Sequence, residues 1–466
     1  MVHVTYDVVI VGAGPAGIFT AMRLAGTGLK TVILEKGNPI GKRRCPMQEG
    51  RPSCARCPSC SVTSGWGGAG AFSDGKLTLT TEVGGSLEQY VGDEDLKALI
   101  PAVDGIYRRF GAPDKVYGGD STEEMQEMVE RAERNHLKLV PVPIRHIGTG
   151  RSAEILERMY EFLTGDGVEV RTGCPVDSVL VEDGRVTGVA TAAGEAIRGR
   201  YVVIAPGREG SEWLRREAGR LGLRLKANPV DIGVRVEVPA SILENLTRIF
   251  YESKLIYYSK AFDDKVRTFC MNPYGQVVVE NNDGVLTVNG HTHAYHRTRN
   301  TNFAVLVSKN FTEPFDNPIA YGRYIASLAN LLGGGVIVQR LGDLLAGQRS
   351  NPDRMAKCLT TPTLKEATPG DLSLVFPYRH LVSIVEILKA LDGLAPGVFS
   401  RYTLLYGVEV KFYSSRLELG PDLETRIENL FAAGDGAGVT RGLVQASASG
   451  LVVAREIARR AGQNIS

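Results

Sequence analysis

Four cysteines near the start of the chain have a spacing that suits metal binding. Cys45, Cys54, Cys57 and Cys60 are arranged as C-x8-C-x2-C-x2-C. A two-residue gap lets neighbouring thiolates converge on one ion or cluster, so we expect these residues to be metal ligands. A [4Fe–4S] cluster suits the C-x2-C-x2-C run, whereas structural zinc more often uses two separated pairs. Zinc and free, redox-active thiols are the alternatives.

The cysteines lie within residues 41–70, a segment rich in Cys, Gly, Pro and Arg that has neither a helical nor a strand period. A long loop of this kind inside a compact domain is usually functional. The segment also carries Arg43, Arg44, Arg51 and Arg56. Their charges would offset that of a four-thiolate cluster, or they simply solvate a surface loop.

A glycine-rich turn at the N-terminus predicts dinucleotide binding. The apolar run 6–11 leads into Gly12-Ala13-Gly14-Pro15-Ala16-Gly17, then into an amphipathic helix and a second apolar strand that ends at Glu35. Gly12 would permit the tight turn, Gly14 the approach of a pyrophosphate, and Gly17 close packing of the helix on the sheet. The carboxylate of Glu35 is placed to bind ribose hydroxyls. Residues 65–70 also match G-x-G-x-x-G, but no strand precedes them, so we interpret them as a loop.

A second motif near the C-terminus separates FAD from NAD. A short strand leads into Gly434-Asp435-Gly436 and then into a long helix that begins near Gly442. This arrangement resembles the second FAD motif of the glutathione-reductase and p-hydroxybenzoate-hydroxylase superfamily. The resemblance implies that Asp435 bonds the ribitol and that the helix N-terminus faces the flavin N1/C2=O edge, where it would stabilise negative charge.

The strands of residues 166–204 and the following Ala205-Pro206-Gly207 resemble the β-meander and the "ATG" motif of the same superfamily, with Pro206 in place of the usual Thr. By this resemblance Val176 contacts adenine through its backbone. More widely, the chain resembles an uncharacterised group of FAD-dependent dehydrogenases at residues 67–78, 267–270, 288–290 and 407–409. Together the motifs and the resemblance imply these cofactor-binding residues: Gly12, Gly14, Pro15, Ala16, Gly17, Glu35, Lys36, Gly68, Ala69, Gly70, Ser73, Lys76, Val176, Ala205, Gly207, Gly434, Asp435, Gly442 and Leu443.

Candidates for the reacting side are Lys76, His291 and His380. Lys76 could approach flavin N5 and stabilise its reduced form, or it is a plain surface lysine. His291, with the nearby His293 and His296, could bind a metal, but no acid is in register with them, so turn and surface histidines are favoured. Any of these histidines, or His380, could donate a proton. Weaker candidates are Tyr274, Arg267 and Glu409.

The motifs predict an α/β fold: a Rossmann-like FAD-binding domain of the glutathione-reductase type with an inserted α+β domain. We expect residues 1–83, 146–224 and 396–466 to form the FAD-binding domain, with 41–64 as a cysteine-rich loop within it. Residues 84–145 and 225–395 would form the substrate domain. No second strand–G-x-G-x-x-G–helix unit occurs, so electrons would come from NAD(P)H bound at the flavin or from a ferredoxin-like carrier.

Composition limits the class of protein further. The formal net charge is only +2, which counts against a nucleic-acid surface. No apolar run approaches the roughly 20 residues that span a bilayer, and the first strand begins too early to leave room for a signal peptide. We therefore expect a cytoplasmic protein; its oligomeric state is open, and a homodimer is compatible with the sequence.

Together these features predict an FAD-dependent oxidoreductase that moves a hydride or an electron pair between flavin and a small organic substrate, with an iron–sulfur centre as relay. A flavin monooxygenase of the hydroxylase type is one alternative. An FAD-containing protein that binds or modifies nucleic acid is the other, supported only by the basic residues 41–56.

Overall fold

The computed structural model describes residues 5–46, 57, 59–73, 75–119, 122–148, 150–226, 228–250, 252–282, 284–292, 297–309, 311, 317–411 and 416–463. The chain forms two compact units. The first comprises Met1–Lys115, Arg145–Lys226 and Ser414–Ser466, and the second comprises Val116–Ile144 and Ala227–Tyr413.

Strands and helices alternate through the first half of the chain. In order they are β1 Thr5–Val11, α1 Pro15–Leu24, β2 Thr31–Leu34, β3 Lys76–Thr78, α2 Glu88–Val91, α3 Asp93–Arg109, β4 Val116–Tyr117, α4 Glu123–Arg134, β5 Lys138–Val140, β6 Ile144–His146, α5 Arg151–Gly165, β7 Glu169–Arg171, β8 Val176–Glu182, β9 Arg185–Thr191, β10 Ala196–Ile204, α6 Ser211–Arg220 and β11 Leu225–Lys226.

Longer strands dominate the second half. They and the helices between them are β12 Val230–Pro239, α7 Ala240–Phe250, β13 Lys254–Tyr258, β14 Lys265–Asn272, β15 Gln276–Asn282, β16 Val285–His291, β17 Asn300–Lys309, α8 Pro318–Gly333, β18 Ile337–Arg340, α9 Leu341–Leu345, α10 Pro352–Ala356, β19 Thr368–Pro369, α11 Tyr378–Leu394, β20 Leu404–Lys411, β21 Arg416–Leu417, β22 Leu430–Ala432 and α12 Leu443–Arg460.

The core of the first unit is a sheet in the order β7-β2-β1-β10-β9-β8, with β22 beside β10. Strands β7, β2, β1, β10 and β22 are mutually parallel. The apolar run of β1 is buried along its length because a parallel sheet of this kind is covered on both faces. Strands β8, β9 and β10 form the predicted antiparallel meander. The predicted Rossmann-like α/β fold is confirmed.

Two helices of the first unit pack so closely that one of them needs a glycine at the contact. A Cβ atom on Gly450 of α12 would lie 2.2 Å from the carbonyl oxygen of Ala16 in α1. In the same contact the hydroxyl of Thr20 donates to the carbonyl of Gly450 over 3.2 Å. A Cβ on Gly70 would likewise lie 2.5 Å from Leu443 and 3.9 Å from Pro15, so the first residues of α1 and α12 flank the same loop.

The observed units differ from the predicted domains by more than a few residues in two places. Residues 84–115 belong to the first unit, because α3 packs its apolar face there: the ring centroid of Tyr107 lies 5.0 Å from that of Phe19. Residues 396–413 belong to the second unit, because β20 pairs with β12 and β18. That the second unit binds the substrate stays a prediction.

The second unit is built on an eight-stranded sheet in the order β19-β18-β20-β12-β17-β14-β13-β5. Alternation along β12 gives its two faces different chemistry. Val230, Ile232, Val234, Val236 and Val238 point to an apolar core, whereas Asp231, Arg235 and Glu237 point to the other face, and all of them are buried. The hairpin β15–β16 forms a separate two-stranded sheet. Among the described helices, none is both long and apolar enough to cross a membrane.

Candidate functional site

The predicted binding segments of the first unit meet at one edge of its sheet. Because β1, β2, β10 and β22 are parallel, their carboxyl ends lie side by side, which is where open α/β sheets bind ligands. The backbone N–H of Gly12, after β1, donates to the carbonyl of Leu34 in β2 over 2.8 Å. On the other side, the N–H of Ala205 donates to the carbonyl of Val11 over 2.8 Å. The segments after these strands therefore line one continuous edge.

The three fingerprint glycines have different surroundings. A Cβ on Gly12, where φ is +103°, would lie 2.2 Å from the carbonyl oxygen of Ala205. A Cβ on Gly17 would lie 2.0 Å from the carbonyl oxygen of Gly12. Around a Cβ on Gly14, by contrast, no described atom lies within 4 Å. Gly12 and Gly17 are thus required by packing within the protein, whereas Gly14 leaves space for another molecule.

Two long helices begin at this edge without side-chain caps. The N-cap residues of α1 and α12 are Gly14 and Gly442, so neither N-cap residue has a side chain that could cap its helix. No described atom lies within 4 Å of a Cβ placed on Gly442, so this N-terminus is open as well. Uncapped helix N-termini present backbone N–H groups and a positive dipole end, which suits a phosphate or another electron-rich group.

Glu35 ties three backbone segments together. Its side chain is buried, and one carboxylate oxygen accepts a hydrogen bond from the N–H of Ala13 over 2.8 Å. The other oxygen accepts from the N–H of Gly37 over 2.8 Å and from that of Gly65 over 2.9 Å. A carboxylate has about four acceptor positions, so one is left for a ribose hydroxyl. Glu35 is therefore both a structural tie and a candidate ligand-binding group.

Arg43 organises the loop that follows the cysteines, a role that the sequence did not reveal. Its buried guanidinium donates to the carbonyls of Ser61, Val62, Trp66 and Gly68 over 2.7–2.9 Å. Burial lowers the pKa of Arg43 to about 10, and the nearby charge of Glu35 partly opposes this shift. The alternative in which the loop arginines simply solvate a surface loop is thus wrong for Arg43. Arg44 is exposed, and Arg51 and Arg56 lie outside the described residues.

The loop held by Arg43 lies against the fingerprint. The N–H of Gly67 donates to the carbonyl of Ala13 over 2.8 Å, and a Cβ on Gly68 would lie 3.1 Å from the Cα of Gly14. A short 3₁₀ turn spans Gly68–Phe72, which includes Ala69 and Gly70, and Ser73 closes it by donating to the carbonyl of Gly70 over 2.9 Å. The second G-x-G-x-x-G match is therefore a loop, as predicted.

Asp435 follows the end of β22 and begins a short 3₁₀ turn that precedes α12. Its carboxylate accepts from the hydroxyl of Thr440 over 2.9 Å and from the N–H of Gly442 over 3.3 Å. Burial raises the pKa of Asp435, and Arg208, whose Nε lies 3.9 Å away, opposes that shift. The backbone of Gly434, with φ of +78°, lies close to Ala16, since a Cβ there would be 3.0 Å away.

The remaining predicted cofactor residues lie on the same edge or beside it. Lys36 forms an ion pair with Glu209. Gly207 has φ of +65°, and no described atom lies within 4 Å of a Cβ on it. The segment before Val176 runs beside Glu35, because the N–H of Cys174 donates to the carbonyl of Glu35 over 2.8 Å. Lys76 begins β3, is half-buried, and follows Gly75 in the same unit.

The predicted metal ligands are only partly described. Cys45 and Cys60 are half-buried, Cys57 is exposed, and Cys54 lies outside the described residues. In the part of the chain that the structure describes, no three His, Cys, Asp or Glu side chains form a group that could hold a metal. The metal prediction is therefore not shown.

The two candidate histidines lie in the second unit. His291 ends β16, opposite Gln276, and is half-buried; His293 and His296 lie outside the described residues. His380 lies in the first turn of α11 and is 3% exposed. Neither of its ring nitrogens has a hydrogen-bond partner among the described residues. Among the weaker candidates, the hydroxyl of Tyr274 donates to Glu244 over 2.9 Å, and Glu409 is buried.

The surroundings of His380 keep its imidazole neutral. Burial, followed by the positive charges of Lys309 and Arg379, lowers its pKa from 6.5 to about 4, while Asp264 partly opposes this shift. The guanidinium of Arg379 donates to Asp264 over 2.7 Å, and Lys309 also pairs with that carboxylate. At neutral pH His380 is therefore uncharged and does not act as a proton-donating imidazolium.

Three family models match parts of the chain. A model described as an FAD-dependent protein, C-terminal domain-like, matches residues 229–412. An FAD-binding domain model matches residues 7–43, and a model of glucose inhibited division protein A matches residues 365–464. The first lies within the second unit, and the FAD-binding match covers the fingerprint and Glu35.

Two relatives match this chain over different shares of its length. An uncharacterised protein of Clostridium beijerinckii is 28% identical over 481 residues, which covers 96% of this chain and 80% of that protein. FixC of Salmonella typhi is 24% identical over 246 residues, which covers 52% of this chain and 45% of FixC. The chain thus spans less than half of the length of that second relative.

Solved structures with a similar fold are distant. A 3-ketosteroid-Δ4-(5α)-dehydrogenase from Rhodococcus jostii is 14% identical, with a TM-score of 0.45 and 97% of each chain covered. A glycerol-3-phosphate dehydrogenase from Bacillus halodurans, complexed with FAD, is 12% identical, with a TM-score of 0.41 and coverage of 99% of this chain and 66% of that one. These likenesses assign no substrate. The family models alone indicate a protein that binds FAD, as the sequence predicts.

The lowered pKa of His380 predicts that the folded protein loses stability in acid. Its pKa is lower in the folded protein than the usual 6.5, so unfolding takes up a proton between pH 6.5 and about 4. Above pH 6.5 the imidazole is neutral in both states and costs no stability. As the pH falls from 6.5 towards 4, the free energy of unfolding decreases by up to about 3 kcal/mol. Urea denaturation at pH 7 and pH 4.5 should show a smaller acid loss for His380→Leu than for the native chain.

His136→Asn is the matched control, because Asn tolerates the positive φ of 61° at that position. Its acid loss should equal that of the native chain. An equal loss in His380→Leu would show that this imidazole is not the group that takes up the proton.

Proposed function

We propose that the carboxyl edge of the first sheet binds one FAD and that the protein uses it to exchange a hydride or an electron pair with a small organic substrate. The observation that carries the proposal is the open Gly14, between the tightly packed Gly12 and Gly17 and beside two uncapped helix N-termini. Such an edge fits a molecule with a pyrophosphate and a polar ring. When bound, FAD supplies a ring that accepts or donates a hydride.

The adenosine half of FAD would lie along β1 and β2. The N–H groups at the start of α1, with Gly14, Pro15, Ala16 and Gly17, would hold the pyrophosphate. Glu35 would accept a ribose hydroxyl at its remaining acceptor position. Lys36 and the backbones of Val176, Ala205 and Gly207 would complete this half of the site.

The flavin half would lie at β22 and α12. Asp435 would accept hydroxyls of the ribitol, and the N–H groups at Gly442 and Leu443 would bind the C2=O edge of the ring. The loop residues Gly68, Ala69, Gly70, Ser73 and Lys76, with Gly434, would lie beside the ring. The fixed positions of Gly68 and Gly70 against Gly14 and Leu443 support this placement.

On the reacting side we assign Lys76 to the flavin and His291 to proton donation. His380 would act only as a neutral group, because its pKa is about 4. The substrate would bind in the second unit. The division of function between an FAD-binding and a substrate-binding part thus follows the two observed units, whose boundaries replace the predicted ones.

We further propose that Cys45, Cys54, Cys57 and Cys60 bind a [4Fe–4S] cluster that relays electrons to an external carrier, with zinc as the alternative. What supports this is the spacing of the four cysteines and the direct continuation of their loop into residues 65–73. NAD(P)H or a ferredoxin-like protein would be the electron partner. The proposed location is the cytoplasm; the oligomeric state is open, and a homodimer is compatible with the sequence.

Gly14→Leu should remove FAD without unfolding the protein. Gly14 has φ of −81° and ψ of −177°, which any residue adopts, and a side chain there enters only the open space. We expect FAD content to fall about tenfold or more, since the space for the pyrophosphate is filled. The measurement is flavin absorbance per chain, with circular dichroism to confirm the fold.

Gly41→Leu is the control, because Gly41 is also open but lies in a 3₁₀ turn outside the fingerprint. It should retain native FAD content. Native FAD content in a folded Gly14→Leu variant would contradict the proposed site.

Protein purified without oxygen should contain iron and acid-labile sulfide in equal amounts. Cys57→Ser removes one thiolate of the proposed cluster and should abolish both, whereas Cys358→Ser, outside the loop, should retain both. Zinc without sulfide in the native protein would rule out the electron relay and favour a structural metal.

A further inference from the structure

Three sequence segments of the second unit meet around one buried arginine. Residues 267–270, 288–290 and 407–409 lie on β14, β16 and β20, and the side chain of Arg235 on β12 contacts all three. Its Nη1 donates to the carbonyl of Cys270 over 2.7 Å. Its Nη2 donates to Asn289 and to Glu409, over 2.8 Å in each case. We call Arg235, Asn272, Asn289, Asn302 and Glu409 the Arg235 cluster.

The charged pair of this cluster is fully removed from solvent but only partly hydrogen-bonded. Arg235 and Glu409 are 0% exposed. Among the described residues, no group partners Nε of Arg235 or the second oxygen, Oε2, of Glu409. The first oxygen of Glu409, Oε1, lies 2.8 Å from Nη2 of Arg235 and 3.0 Å from Nζ of Lys411. Burying such a pair is costly unless the remaining donors and acceptors are satisfied.

Two asparagines extend the set of unpartnered atoms. Asn302 accepts from Arg235 through Oδ1 over 3.4 Å, but its Nδ2 has no partner among the described residues. Asn272 donates to the carbonyl of Cys270 over 3.2 Å, and its Oδ1 has no partner among them either. The cluster therefore presents two donors and two acceptors that are buried and have no partner among the described residues.

The neighbouring carboxylate on the same face of β12 is, by contrast, fully hydrogen-bonded. Glu237 accepts from Asn300 over 3.0 Å, from Thr363 over 2.5 Å and from the hydroxyl of Tyr406 over 2.5 Å. Both of its oxygens are satisfied within the protein. Since buried polar groups are nearly always paired with protein, water or a ligand, the four unpaired atoms around Arg235 need partners that the described residues do not supply.

Gly290 marks the point at which these side chains converge. A Cβ placed on it would lie 2.1 Å from Oδ1 of Asn302, 2.7 Å from Nδ2 of Asn272 and 2.9 Å from Nη1 of Arg235. These side chains therefore pack directly against the backbone of Gly290, which is why a glycine is needed there. Gly290 is itself half-buried, so the cluster borders on accessible surface at β16.

We propose that the Arg235 cluster binds the head group of a small α-amino acid, which would be the substrate class of the proposed oxidoreductase; this inference rests on that proposed function. The carboxylate would accept from Nε of Arg235 and Nδ2 of Asn302. The ammonium group would donate to Oε2 of Glu409 and Oδ1 of Asn272. A carboxylate alone would leave both acceptors unpaired, and an amine alone would leave both donors unpaired.

The test uses the FAD-replete protein and isothermal titration with glycine, acetate and methylammonium. Glycine carries the complete head group without a side chain, and the other two carry one half each. We expect glycine to bind and each half to bind at least about tenfold more weakly, since each loses charge-assisted hydrogen bonds. Binding is measured without turnover, so a lack of FAD reduction does not affect the result.

Two isosteric variants reverse the hydrogen bonding of the cluster. Asn302→Asp replaces the free donor by an acceptor and keeps the oxygen that faces Arg235. Glu409→Gln replaces the free acceptor by a donor. Each should weaken glycine binding at least about tenfold. Asn282→Asp makes the same change near the turn of the β15–β16 hairpin, where Asn282 bonds Thr287, and should bind glycine normally.

Native-like melting temperature and FAD content would show that a variant is folded. The proposal is overturned if glycine does not bind the native protein, or if glycine binding is unchanged in both folded variants; the cluster then holds internal water only. Absence of FAD from the native protein would refute the proposed function, whereas glycine binding to that protein would still support the head-group site.

Discussion

The close backbone contact between Gly12 and Ala205 fixes the geometry of the first unit. Only glycine allows the turn after β1 to have φ of +103° with the carbonyl of Ala205 within 2.2 Å of where a Cβ would be. This contact keeps the carboxyl ends of β1 and β10 in register, and Gly17 then seats α1 on the turn. Because Gly450 of α12 packs against Ala16 of α1, the position of α1 also determines where the N-terminus of α12 lies.

A pair of buried charges holds the loop that completes this edge. Glu35 binds three backbone N–H groups, and Arg43 binds four carbonyls of residues 61–68. Each side chain thus satisfies backbone groups that would otherwise be unpaired inside the protein. The loop after the cysteines is therefore held against the fingerprint by the protein itself. Such preorganisation keeps the candidate cofactor residues in place before a ligand binds.

The sequence predicted those parts of the fold that depend on local patterns. The strand–turn–helix at Gly12 and the turn at Asp435 are short, and each residue type in them has a local reason. The assignment of α3 to the second domain was wrong because its partner, α12, lies far away in the chain. The roles of Arg43 and Arg235 were missed for the same reason: nothing in their neighbouring residues distinguishes a buried arginine from an exposed one.

The central claim is that the carboxyl edge of the first sheet holds FAD. The most direct measurement is the absorption spectrum of the purified native protein, followed by denaturation and identification of the flavin that is released. The account predicts one FAD per chain, released only when the protein unfolds. A folded protein that contains no flavin and does not bind added FAD would contradict it.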